Sequence, residues 1–132
     1  MSRRQCYEIP GVDHGGAPIP MAARVGSSFQ TSAIMGKDPA TNELPEDGSR
    51  QVEFVYANLK SLLDVAEVDL DQLTFVEVLL ADNNLRGEVN RYWTEWYPEA
   101  DDRPARHTTV RELPGGMVVQ LRVQAHVEAA GS

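Results

Sequence analysis

The stretch MVVQLRVQAHV, from Met117 to Val127, has the clearest pattern in this 132-residue chain. Apart from Val118, apolar and polar side chains alternate along it, and Gln120 is one of the polar ones. Side chains two positions apart on a strand point to the same face, so the pattern predicts a strand with one buried face and one polar face. The buried face requires a second packing layer, which the rest of the chain has to supply.

Four other segments are predicted strands because they are apolar, rich in β-branched residues or bounded by turn residues. They are Met21–Val25, Ser28–Ile34, Thr74–Ala81 and Ala105–Glu112. A turn at Gly26-Ser27 joins the first two as a hairpin, and Leu113–Gly116 supplies a turn before the alternating strand.

Two segments carry apolar residues at spacings of three and four, which is typical of a helix with one buried stripe. The first covers residues 52–66, and the second covers residues 85–96 and stops before Pro98. Strands and helices are mixed without strict alternation, so we predict an α+β fold with one sheet and both helices on one of its faces. The other face is then solvated or covered by another subunit.

The totals exclude several classes of protein. The length fits a single domain, residues 1–132, with polar or small tails at 1–4 and 129–132 that are predicted to fray. The net charge of −8 repels phosphate backbones, so nucleic acid is not expected as a partner. No run approaches the ~20 apolar residues of a membrane span, so no membrane is expected either. The single cysteine, Cys6, fits a reducing cytoplasm, the predicted location.

No metal or cofactor is expected from the residues. His14, His107 and His126 are far apart in sequence and have no ligand partner at helical spacing. The pairs Gly15-Gly16 and Gly115-Gly116 are typical of turns, and neither a phosphate-binding loop nor a dinucleotide fingerprint is present.

The segment RPARHTT, residues 103–109, contains the candidate ligand-binding residue Arg106. Strand alternation places Arg106 and Thr108 on one face and His107 on the other. A guanidinium at the start of a strand offers two parallel donors to a carboxylate, so Arg106 is a candidate anchor for a small carboxylate metabolite. The alternative is an ordinary surface salt bridge between Arg106 and the acidic residues before it.

The chain resembles the reactive-intermediate deaminase family, also called the YjgF family, from about Ala17 to Val127. Its most specific matching piece is Arg103–Arg106 followed by Leu113–Gly116. The other matching pieces, in the same order and spacing, are Val25-Gly26, Phe29–Ser32, Asp38–Thr41, Gln51, Asn58-Leu59, Val89-Asn90 and Tyr92.

The resemblance implies a chorismate-mutase-like mixed sheet of about six strands backed by two helices, and a homotrimer with ligand clefts between subunits. Active members of the family hydrolyse enamines and imines such as 2-iminobutanoate and 2-iminopropanoate to 2-oxo acids and ammonia, and no cofactor is implied. Arg106 matches the arginine that holds the substrate carboxylate. Ser32 and Ala33 match a pair whose backbone assists it, and Asn90 matches a further family position.

The chain also departs from the family pattern. Gln120 stands where the family has a water-orienting Glu, and Thr108 replaces a Cys. Ile19 lies where the family has a Tyr, Ala33 replaces a Gly, and the strand after Arg106 is one residue shorter. An amide cannot act as a base, although it can hold a water by hydrogen bonds.

Two hypotheses follow from these matches and departures. The first is an imine deaminase in which Arg106 holds the carboxylate while Gln120 and Thr108 place a water. The second is a non-catalytic protein that senses or sequesters a small carboxylate. Ribonuclease activity, a third possibility, is disfavoured by the acidic charge and by the absence of a histidine acid–base pair.

Overall fold

The computed structural model describes residues 3–128, and within them the chain forms seven strands and two α-helices. The strands are β1 (Arg4–Tyr7), β2 (Ala22–Val25), β3 (Ser28–Thr31), β4 (Ile34–Met35), β5 (Leu73–Leu80), β6 (Ala105–Val110) and β7 (Val119–His126). The helices are α1 (Gly48–Ala66) and α2 (Arg86–Trp96). The predicted α+β class is confirmed.

All seven strands belong to one sheet with the order β1-β2-β3-β7-β5-β6, and β4 also pairs with β7. The pair β5–β6 is parallel and the other pairs are antiparallel. β7 is therefore central, with β3 and β4 along one edge and β5 along the other. β6 lies at the end of the sheet, next to β5 alone.

The alternation along β7 sets the two faces of the sheet. Val119, Leu121 and Val123 are buried, whereas Arg122 and Gln124 are exposed. The buried residues share one hydrophobic core with residues of α1 and α2, so both helices cover the same face of the sheet. The prediction of one buried and one polar face is confirmed, and we call the polar one the open face.

α1 begins and ends at clear capping residues. The carboxylate of Asp47 accepts a hydrogen bond from the Ser49 N–H at 2.9 Å, which satisfies one free donor of the first turn. The helix ends at Glu67, whose φ of 59° is left-handed. Between these caps the buried residues recur at helical spacing and face the sheet.

Two buried amide side chains on α1 form hydrogen bonds to the chain at the end of β4 and just before β7. Asn58 donates to the carbonyls of Met35 and Lys37 at 2.9 and 2.8 Å. Gln51 donates to the carbonyl of Gly116 at 3.1 Å and accepts from the Val118 N–H at 2.9 Å. α1 thus fixes the end of β4 and the entry into β7 by hydrogen bonds as well as by apolar packing.

The structure corrects the predicted strands at two places. Arg4, in the tail predicted to fray, begins β1 and pairs with Val25, while residues 1–2 and 129–132 lie outside the described part. The predicted strand Ser28–Ile34 is interrupted, because the Thr31 hydroxyl accepts a hydrogen bond from the Val123 N–H at 3.0 Å in place of a backbone partner. The sheet therefore has seven strands rather than about six.

Candidate functional site

The predicted site residues divide between the two faces of the sheet. Residues paired across neighbouring strands share a face. Arg106 is paired with Val76, a buried residue of the helix-covered face. Gln120 is paired with Leu79, the residue that follows the buried Val78 and therefore points to the opposite face. Arg106 therefore projects on the helix side at the edge of the sheet, and Gln120 projects on the open face.

On the helix side, Arg106 is held by two neighbours. Its Nε donates to the Thr108 hydroxyl oxygen at 3.1 Å, as expected for two residues on one strand face. Its guanidinium carbon lies 5.2 Å from the centroid of the Trp93 ring, within cation–π range. The bond uses Nε, and neither terminal amino group of the guanidinium donates a hydrogen bond within residues 3–128. We call Arg106, Thr108 and Trp93 the Arg106 cluster.

The Arg106 cation is half-buried and has no carboxylate partner among residues 3–128. Burial lowers the pKa of Arg106, Tyr56 acts in the opposite direction, and the nearby cation of Arg86 lowers the pKa further. The guanidinium nevertheless remains charged at neutral pH. The alternative of a surface salt bridge to the preceding acidic residues is not found in the described part of the chain, so the cation is available to an external anion.

An aromatic group supports this cluster from α1 and α2. Tyr56 stacks on Tyr92 with ring centroids 5.0 Å apart and meets Trp96 edge-on at 5.1 Å. The Tyr56 hydroxyl donates to the Val89 carbonyl at 3.0 Å. Burial raises the pKa of Tyr56, so this phenol stays neutral at physiological pH. These aromatic side chains pack on one another, and the neutral Tyr56 lies near enough to Arg106 to affect its pKa.

On the open face lies a cavity of about 340 Å³, which we call the open-face cavity. It is lined by Ala33, Glu77, Leu79, Thr109, Arg111, Gln120 and Arg122. The volume lies within the range of small-molecule sites. Two predicted site residues, Ala33 and Gln120, therefore lie together here, away from Arg106.

The polar groups of the open-face cavity differ in whether they have a charged or hydrogen-bonded partner. Arg122 forms an ion pair with Glu77 and donates to it through Nε at 2.6 Å, so these two charges balance. Arg111 has no ion pair among residues 3–128. The Gln120 Nε2 donates to the Met117 sulfur at 3.3 Å, and its Oε1 accepts no hydrogen bond from the residues that the structure describes. The cavity thus offers one unbalanced cation and one amide oxygen.

Three other predicted site residues lie outside both groups. The Ser32 hydroxyl donates to the Pro20 carbonyl at 2.7 Å and its N–H donates to the Met21 carbonyl at 2.8 Å, so both donors are used within the chain. Ile19 is 50% exposed. Asn90 is exposed on α2. Ser32 therefore holds the loop before β2, and Ile19 and Asn90 are surface residues of the single chain.

Thr108 and Gln120, which were predicted to place one water in a cleft between subunits, do not lie together within a single chain. Thr108 is paired with Val78 on β5, whereas Gln120 is paired with the next residue, Leu79. Successive residues of a strand point to opposite faces, so the Thr108 and Gln120 side chains lie on opposite sides of the sheet. The two groups can meet one ligand only if a second copy contributes one of them.

Sequence reasoning did not identify Trp93, Arg111 or Thr109 as parts of these clusters. Thr109 and Arg111 are two positions apart and continue the alternation that begins in β6, which is the signal that could have placed them on one face. No comparable signal exists for Trp93, because its contact with Arg106 depends on how α2 packs on the sheet.

Among residues 3–128, no helix has both the length and the apolar character needed to cross a membrane. In the same part of the chain, no three histidine, cysteine or carboxylate side chains are grouped as metal ligands would be.

Comparisons with known proteins agree with this architecture. The family model described as Endoribonuclease L-PSP matches residues 19–127. The chain is 30% identical to the RutC family protein y4sK of Sinorhizobium fredii over 106 residues, covering 79% of this chain and 82% of that protein. It is 26% identical over 115 residues to a RutC family protein of Aquifex aeolicus, covering 83% and 92% of the two chains. The crystal structure of RidA from the Antarctic bacterium Psychrobacter sp. has a TM-score of 0.81 at 26% identity, covering 93% of this chain and 99% of that one.

Proposed function

This chain belongs to the Endoribonuclease L-PSP family, which includes the RidA and YjgF proteins, and we propose that it binds small 2-imino acids and hydrolyses them. The products are a 2-oxo acid and ammonia. In the reaction, water adds to the carbon of the protonated imine, the C–N bond breaks, and nitrogen leaves as ammonium. The substrate iminium is itself electrophilic, so the reaction requires no metal or cofactor.

The observation that carries the proposal is the half-buried Arg106 cation without a carboxylate partner in the described chain. Thr108 and Trp93 fix the plane of the guanidinium, so little conformational freedom is lost when an anion binds. A substrate carboxylate would accept two parallel hydrogen bonds from the terminal amino groups. Such charged hydrogen bonds contribute about 1.5–3 kcal/mol each.

The separation of the two groups supports a site formed between copies of the chain. One copy would supply the Arg106 cluster, and its neighbour would supply Gln120 and the backbone at Ala33. The homotrimer that the family resemblance implies is the proposed assembly. In this arrangement the Gln120 Oε1 would accept a hydrogen bond from the attacking water and orient it towards the C=N carbon.

A second candidate function is the binding of a small carboxylate without turnover. It is favoured by the nature of Gln120, because an amide cannot take a proton from water. Both candidates use the same anchor and differ only in whether product is formed.

The exposed free thiol of Cys6 fits a reducing compartment, so we propose the cytoplasm as the location for either function.

The test compares Arg106→Gln with Arg50→Gln, a control that removes the same charge from the exposed side of α1. The substrate is 2-iminobutanoate generated in the assay, and release of 2-oxobutanoate and ammonia is followed. We expect the wild-type chain to accelerate release, Arg106→Gln to lower kcat/KM at least ~10-fold, and Arg50→Gln to match the wild type. Saturable binding of 2-oxobutanoate without acceleration would favour the second candidate. Equal affinity and equal rate in Arg106→Gln and wild type would exclude Arg106 as the anchor.

A further inference from the structure

The backbone of Arg111 is held at a defined place on the open face, and the residue is exposed. It follows β6, and its N–H donates to the Leu80 carbonyl at 2.9 Å, which continues the pairing of β6 with β5. Thr109 and Arg111 therefore keep strand alternation and both line the open-face cavity with Gln120. The arginine is positioned by backbone geometry, on the face opposite to Arg106.

The charge of Arg111 is not balanced within the described chain. Of the charged groups in the cavity, Arg122 and Glu77 neutralise each other as an ion pair. Arg111 has no such partner among residues 3–128, although the whole sequence contains 20 acidic residues. The open-face cavity therefore carries a net positive charge on a protein whose total charge is −8. A cation of this kind attracts an anionic ligand group.

We propose that Arg111 binds a second anionic group of the ligand, so that the preferred ligands are dicarboxylates, such as the 2-imino and 2-oxo acids derived from acidic amino acids. The inference rests on the proposed function, in which Arg106 of one copy faces the open-face cavity of its neighbour. Arg106 takes the carboxylate next to the C=N or C=O carbon, and Arg111 takes the distal carboxylate. Gln120 lines the same cavity as Arg111, and in the proposed site its acceptor oxygen faces the part of the ligand between the two carboxylates.

This arrangement makes Arg111 a specificity-determining residue and gives it no part in bond making or breaking. A dicarboxylate gains a charged hydrogen bond that a monocarboxylate lacks. Arg111 would therefore distinguish ligands by the length of their carbon skeleton and by the charge at its far end. A ligand with an uncharged polar end would leave the exposed Arg111 cation without a counter-charge, so we expect it to bind less well than a dicarboxylate.

The experiment measures binding of 2-oxoglutarate and 2-oxobutanoate to the full chain by calorimetry, so that it does not depend on turnover. The variants are Arg111→Gln, Arg111→Lys and the exposed control Arg50→Gln. We expect the wild type to prefer the dicarboxylate, and Arg111→Gln to reduce that preference, expressed as the ratio of the two Kd values, by ~10-fold or more. Arg111→Lys should retain part of the preference because it keeps the charge, and Arg50→Gln should retain all of it.

The inference is overturned if the wild type does not prefer the dicarboxylate, or if Arg111→Gln weakens both ligands by the same factor. A lower oligomer mass for Arg111→Gln in light scattering, with equal weakening of both ligands, would assign Arg111 to a contact between subunits instead. Failure of the proposed function has a different signature, because Arg106→Gln would then bind 2-oxobutanoate as the wild type does.

Discussion

At the scale of single residues, the proposed function makes Gln120 the residue on which turnover of the bound ligand depends. Its Nε2 donates to a sulfur, so the amide oxygen is the group that can hold a water. Gln120→Glu adds a base at the same place, and general-base catalysis typically contributes 10²–10⁴-fold. We expect kcat for 2-iminobutanoate to rise by at least ~10-fold in this variant. The rate should increase as pH rises through the pKa of the new carboxyl, because the deprotonated form is the active one.

The matched control is Gln120→Ala, which removes the acceptor and supplies no base. It should bind 2-oxobutanoate as the wild type does while lowering kcat. Equal kcat in Gln120→Glu and the wild type, measured across pH 5–8, would mean that this side chain does not face the attacking water. Turnover by Gln120→Glu alone would identify the natural protein as a binder.

Sequence patterns predicted which site residues of one strand share a face. They did not predict which site residues of different strands share a face. Arg106 and Thr108 share a face because a strand has a period of two, and their hydrogen bond confirms that interpretation. The separation of Thr108 from Gln120 depends on the register of β5 against both β6 and β7. A one-residue shift would reverse it, and no single segment of sequence encodes that shift.

At the scale of elements, α1 fixes the end of β4 through the buried amide of Asn58. Asn58 is 1% exposed and donates to two carbonyls, those of Met35 and Lys37. Asn58→Leu keeps a similar volume but leaves the buried Met35 carbonyl and the part-buried Lys37 carbonyl without that donor. Each unsatisfied group costs about 1–3 kcal/mol. We expect a loss of about 2–4 kcal/mol in the free energy of unfolding, measured by urea denaturation.

The control for this prediction is Asn84→Leu, the same change at an exposed position. It should alter the free energy of unfolding by less than about 0.5 kcal/mol. Similar losses in both variants would show that the effect comes from the leucine rather than from the missing hydrogen bonds.

The elements with the strongest hydrophobic period were predicted from it, whereas β1, which has none, was missed. β7 and α1 each bury a regular set of side chains, and both were found from that pattern. β1 has four residues, three of them exposed, so it has no apolar alternation to detect. Its pairing with β2 is made by backbone hydrogen bonds, which almost any sequence can form.

At the scale of the whole molecule, the distribution of charge matters more than its sum. The net charge of −8 disfavours a long polyanion, which must approach the surface over many residues. A small carboxylate needs only one or two local cations, and the chain leaves Arg106 and Arg111 without ion pairs in its described part. Since these arginines lie on opposite faces of the sheet, one ligand can use both only between two copies.

The last prediction tests this assembly by complementation. Arg106→Gln lacks the anchor and Gln120→Ala lacks the water-holding amide, so each is expected to be impaired alone. In a random 1:1 mixture of a cyclic trimer, about a quarter of the intersubunit sites combine the intact Arg106 of one variant with the intact Gln120 of the other. Co-refolding the two variants should therefore restore about a quarter of wild-type activity, measured as 2-oxobutanoate release.

A site built within one chain would give no such recovery, because every copy would still lack one of the two groups. Subunit exchange has to be verified independently, by native mass measurement of variants carrying tags of different mass. Mixed oligomers that form without any gain over the separate variants would contradict a shared site. The same measurement fixes the number of copies, since a dimer and a trimer give different sets of mixed masses.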